Sequence, residues 1–175
     1  MMGWGELRVI IARRGGTDAG DRARLERLAR EASGNPSLIL TRRCSHCGSS
    51  DHGAPFAPGL FVSLSRAVDT VVFALSPEPV GIDIESVENV ALADIDRVAF
   101  TPAERARIAA SPASRLMRAE LWAGKEAVLK LRGTGLRVEP SSFQLADVSE
   151  AVHPFTPRPG LVGAVAGAGR VVLLR

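Results

Sequence analysis

VGIDIE, residues 80–85, alternates apolar and non-apolar positions with the period of a β-strand. Val80, Ile82 and Ile84 face one way, and Gly81, Asp83 and Glu85 face the other. Two carboxylates two residues apart on one face repel each other, and a divalent cation would relieve that repulsion. The plainer reading is a half-buried strand with a solvated face, which fits most strands of this pattern. What lies over the acidic face decides between them.

Two strand-like runs precede it, GLFVSLS (59–65) and TVVFAL (70–75), separated by the turn-length gaps RAVD and SPEP. The three runs together predict an antiparallel meander. Towards the N-terminus, ELRVIIA (6–12) reads as a strand. GDRARLERLAREA (20–32) reads as a helix with Leu25 and Leu28 on one side, closed by Gly34 and Pro36. LILT (38–41) predicts a further strand, leading into a loop over 42–59.

Beyond the meander the pattern turns helical. Residues 91–99 predict a helix, and Thr101-Pro102-Ala103-Glu104 is a capping box with proline at the first helical position. Ser111-Pro112 opens the next helix, which stops at Gly133. SFQLADV (142–148) and GLVGAVAG (160–167) predict strands, the second pairing through AGAG with RVVLLR. The class is α+β. Strand, helix and strand recur in both parts of the chain, divided here as 1–79 and 80–175, without a legible sequence repeat.

WAGKEAVLK (122–130) holds both lysines of a chain with 22 basic residues, the rest being arginine. An exposed Glu126–Lys130 pair on a helix would contribute only about 0.2–0.5 kcal/mol. Lysine, unlike arginine, is a compact ammonium that can give up a proton, so the two are not interchangeable at a proton-transfer or phosphate site. On this helix Met117, Leu121, Gly124, Val128 and Leu131 form an inward stripe. Glu126 and Lys130 lie off it, beside Trp122, whose bulk predicts a covered face. Asp83, Glu85 and Glu126 together would form an all-oxygen site suited to Mg²⁺ or Mn²⁺.

Composition narrows the partners. At 175 residues the chain suits one domain or two small halves sharing a core. The net charge of +3 comes from scattered arginines, aromatics are 5% and tyrosine is absent, which points away from nucleic acid. No apolar run is long enough to span a bilayer, and the start lacks the pattern of a secretory signal, so no membrane partner and a cytoplasmic location are expected. Cys44 and Cys47, with His52 five residues on, begin like a zinc knuckle, but Ala57 stands where a fourth ligand belongs. A tight loop shaped by Gly48 and Gly53 is the better reading.

Gly81-Ile82-Asp83-Ile84-Glu85, then Trp122-x-x-Lys125-Glu126-Ala127-x-x-Lys130 and Gly133-x-Gly135-Leu136, resembles the 4′-phosphopantetheinyl transferase superfamily, in its larger, two-half type. Upstream, CSHCGSSDHGAP and FVSLSRA are similar to that type's Cys-x-x-Cys-Gly, His-Gly-Lys-Pro and Ser-His-Ser segments. The resemblance implies two similar α/β halves of antiparallel strands and packed helices, with the active site in the cleft between them. It implies transfer of phosphopantetheine from coenzyme A to a serine of an apo acyl or peptidyl carrier protein, by a monomer.

Carried over residue by residue, Asp83, Glu85 and Glu126 would hold Mg²⁺. Glu126 would also act as general base, Lys130 would neutralise or protonate the leaving phosphate, and Lys125 would contact phosphate. His52, Ser65 and Arg66 fall on the coenzyme A segments. Two positions depart from the pattern: Ala54 replaces a lysine, and Arg66 replaces the histidine associated with the 3′-phosphate, which a guanidinium can grip in its place. These losses leave one non-enzymatic alternative, a degenerate paralogue that binds coenzyme A or carrier protein without turnover. A metal-dependent phosphohydrolase is the other.

Overall fold

The computed structural model describes residues 5–42, 47–50 and 53–175. Nine strands and five α-helices are defined among them: β1 (Glu6–Arg13), α1 (Asp18–Ser33), β2 (Thr41–Arg42), β3 (Pro55–Phe56), β4 (Phe61–Ala67), β5 (Thr70–Ser76), β6 (Val80–Ser86), α2 (Val87–Leu92), α3 (Asp96–Ala99), α4 (Pro102–Ala110), α5 (Ser114–Leu131), β7 (Val152–Phe155), β8 (Leu161–Gly167) and β9 (Arg170–Leu174). The class is α+β, as expected. No helix is long and apolar enough to cross a membrane among the described residues.

One sheet has the order β4-β5-β1-β9 and another the order β6-β8-β7, with β2 and β3 forming a small hairpin. β4 and β5 are antiparallel, as the sequence predicts, but β4 runs on to Ala67, so Arg66 lies within the strand. The meander stops there. β5 pairs next with β1, and β6 pairs with β8 in the other sheet. Pro77 and Pro79 sit between β5 and β6, and a proline cannot donate to a ladder, so the connection breaks away.

Four other expectations are corrected. Residues 91–99 are split between α2 and α3. Leu38 is buried against α1 without joining a strand, so only Thr41–Arg42 pairs. SFQLADV forms 3-10 turns at Pro140–Ser142 and Leu145–Asp147, whose Phe143, Leu145 and Val148 pack on α5 instead of alternating across a sheet. RVVLLR does not pair with β8, because β8 already has β6 and β7 on its two sides. It lies parallel to β1 instead. Gly169, at φ 101°, permits this: a Cβ there would stand 2.6 Å from the Gly5 carbonyl oxygen.

The first sheet is thus built from strands before residue 77 together with β9, and the second from strands after residue 79. A shared core joins the sheets: Leu7, Val9, Val72 and Ala74 from one pack with Ile82, Ile84 and Val165 from the other.

Gly81 sets how closely α5 lies on β6. A Cβ at residue 81 would stand 2.0 Å from the Ala127 carbonyl oxygen and 2.4 Å from the Leu131 nitrogen, both backbone atoms. Neither can turn aside as a side chain could. Gly81→Ala should therefore lift the helix and destabilise the fold by about 3 kcal/mol, measured by urea denaturation. An unchanged midpoint would show that the contact yields freely.

Candidate active site

Asp83 is the centre. It is 4% exposed on β6. Its Oδ1 accepts hydrogen bonds from Ser65 Oγ at 2.7 Å and from Lys130 Nζ at 2.6 Å. Lys130 also donates to the Ile82 carbonyl at 3.2 Å. Asp83 Oδ2 is buried and has no hydrogen-bond partner. An unmet carboxylate oxygen in the interior is costly, and such a position calls for a ligand.

Glu85 and Glu126 stand within the field of that charge. Burial pushes the Glu85 carboxyl up to about 7, helped by the charge of Asp83 and then of Glu126; a hydrogen bond from Trp122 and the Lys130 ammonium pull the other way. Glu126 is likewise raised, first by burial and then by Asp83, against the pull of Lys130. Strand and helix therefore meet, and the two lines of acid residues read from the sequence become neighbours. They do not form a closed cage: among the described residues no group of three or more His, Cys, Asp or Glu is arranged to hold a metal ion. The donors themselves suit a hard cation. All are oxygens, one is buried without a partner, and burial raises the proton affinity of the other two carboxylates.

The remaining expected residues divide. Lys125 is corrected from phosphate contact to structural lysine. It is 0% exposed, and its ammonium donates to Glu104 Oε2 at 2.5 Å and to the carbonyls of Ala99, Pro140 and Phe143 at 3.0, 2.8 and 2.7 Å. An ammonium has three protons, so none remains for a ligand. Glu104 is fixed in turn by its capping box with Thr101 and by the Leu145 amide. Burial pushes its carboxyl up, yet hydrogen bonds from Lys125, Leu145 and Thr101 outweigh this and hold it below the usual carboxylate range.

Ser65 is buried, and its hydroxyl donates to Asp83 Oδ1, where it supports the acidic centre. Arg66 donates from Nε to Asp21 Oδ2 at 2.7 Å, and Asp21 is fully buried. Its charge is thus largely met within the protein. His52, Cys44 and His46 lie outside the described residues. Asp21, Trp122 and Glu104 are site-supporting residues that the sequence reading did not assign. Trp122 carries a local signal, its place one turn from Glu126, and Glu104 one as the acid of the capping box, whereas Asp21 has none.

A cavity of about 1000 Å³ opens beside the centre, with Lys130, Arg42, Arg66 and Arg137 on its wall and Phe56 and Phe61 among its apolar lining. The arrangement is a carboxylate–lysine centre at a strand–helix contact, whose Lys130 also lines the cavity. Residues 79–158, which carry Asp83, Glu85, Glu126 and Lys130, match the family model described as the 4′-phosphopantetheinyl transferase superfamily. The 4′-phosphopantetheinyl transferase psf-1 of Bacillus pumilus is 39% identical over 88 residues, which cover 49% of this chain and 37% of that protein. The match therefore spans well under half of the relative's length.

Proposed function

We propose that the protein transfers 4′-phosphopantetheine from coenzyme A to a serine hydroxyl of an acyl or peptidyl carrier protein, assisted by Mg²⁺ or Mn²⁺. The observation that carries this reading is the buried, unpartnered Oδ2 of Asp83, set beside Glu85, Glu126 and Lys130. In this reading Asp83, Glu85 and Glu126 hold the cation, which when bound neutralises charge on the pyrophosphate. Glu126 takes the proton of the carrier serine; its raised proton affinity makes it a better base than an exposed carboxylate. Lys130 meets the charge that develops on the leaving phosphate. The reading also treats the two sheets, with their helices, as two related halves with the site at their junction.

Incubation with coenzyme A, Mg²⁺ and an apo carrier protein, followed by intact-mass spectrometry, tests it. A phosphopantetheine adduct on serine is the expected result. Binding without modification would leave a non-catalytic paralogue, and release of inorganic phosphate a hydrolase.

Lys130→Arg should lower kcat about a hundredfold although charge is kept. The ammonium sits between Asp83 Oδ1 and the Ile82 carbonyl at 2.6 and 3.2 Å, a space for a compact donor and not for a planar fork. Near wild-type kcat in that variant would make the lysine a compositional accident.

A further inference from the structure

Among the described residues, the four cations on the cavity wall are not equivalent. Lys130 is ion-paired with Asp83, and Arg66 with Asp21. Arg137 donates from Nη2 to the Gly133 carbonyl. Arg42 differs: its side chain makes none of the hydrogen bonds or ion pairs found among the described residues, although it is half-buried. Among the described residues the charges that act on it are Arg22 and Arg66, both cations, and burial followed by their repulsion pulls its pKa below the arginine range.

The backbone explains why it points where it does. Arg42 is the second residue of β2 and lies opposite Pro55 in the β2–β3 ladder; Ala54, next to Pro55 in sequence, also lines the cavity and brings no charge to it. The Arg66–Asp21 pair sums to zero, whereas Arg42 keeps a full positive charge at the cavity. A half-buried guanidinium among like charges is stabilised by an anion, and a phosphate monoester fits its fork.

We propose that Arg42, and not Arg66, is the residue that selects a phosphate monoester on the nucleotide end of the co-substrate. Arg66 is a positioning residue, tied by buried Asp21 to α1 and holding the wall against which Arg42 works. This rests on the coenzyme A reading above. That co-substrate carries one phosphate monoester, which dephospho-coenzyme A lacks, while the pyrophosphate is common to both.

Calorimetric titration of both nucleotides against wild type, Arg42→Gln, Arg42→Lys and Arg66→Gln tests it. Wild type should prefer coenzyme A. Arg42→Gln should lose about ten- to a hundredfold in coenzyme A affinity with dephospho-coenzyme A binding unchanged, which also reports that the variant is folded. Arg42→Lys should restore part of the preference, and Arg66→Gln should weaken both nucleotides alike. A preference retained in Arg42→Gln, or lost selectively in Arg66→Gln, overturns the assignment and leaves the coenzyme A reading standing. Failure of Arg42→Lys to bind either nucleotide, where wild type binds both, overturns it as well, because the arginine would then be structural. Wild type binding neither nucleotide overturns the coenzyme A reading itself.

Discussion

Asp83→Ala should abolish phosphopantetheine transfer, lowering kcat by about a thousandfold, while the protein stays folded. The carboxylate does three things at once. It accepts from Ser65 and Lys130 through Oδ1, leaves Oδ2 buried for a ligand, and raises the proton affinity of Glu85 and Glu126. Alanine removes all three. Asp83→Asn separates charge from shape, because an amide oxygen still accepts from Ser65 but gives a cation no charge. It should be nearly as inactive as alanine. Wild type in excess chelator should fall to the same level, and full transfer under that condition would end the metal reading. Thermal unfolding of each variant in parallel distinguishes lost chemistry from lost fold.

The second large effect is on stability. Lys125→Met should cost about 3–5 kcal/mol, because it strands the Glu104 carboxylate in the interior. Removing the charge on both sides, as Lys125→Met with Glu104→Gln, should recover part of the loss, and the coupling energy follows from a double-mutant cycle. Glu104 also gives the pair a pH signature. A carboxyl held below its unfolded pKa contributes stability above the ordinary carboxylate range and loses it as pH falls through the folded value. Wild type should therefore lose stability on acidification more steeply than the double variant. Urea denaturation measures all of this. Unchanged stability in Lys125→Met, with coenzyme A binding lost, would return Lys125 to the ligand.

That lysine shows what the sequence held and what was overlooked. Residue 125 falls between Leu121 and Val128 on the buried arc of α5. Its place beside Gly124 on the inward stripe already argued against an exposed phosphate contact. The alternation of VGIDIE, the capping box and the extent of α5 were all legible because they are local: period, cap and glycine stop act within a few residues. Partners were not. The AGAG turn looked like a hairpin, yet which neighbour a strand finds depends on edges already occupied elsewhere. Leu145 and Phe143 alternate as in a strand, and only their burial against α5 shows that they serve as a lid on a helix. The ion pair between Arg66 and Asp21 joins residues 45 positions apart, a distance at which no local pattern speaks.

The parallel ladder between β1 and β9 has a consequence for how the chain comes together. Glu6 and Arg170, its outer hydrogen-bonded pair, are 164 positions apart. The ribosome delivers β1 well before its neighbour β9. Until then one side of β1 has backbone donors and acceptors with nothing to meet them, the kind of open strand border that recruits other chains. Parallel pairing across so long a stretch of chain is also slow to form. Residues 170–174 thus seal a sheet whose other strands were made long before.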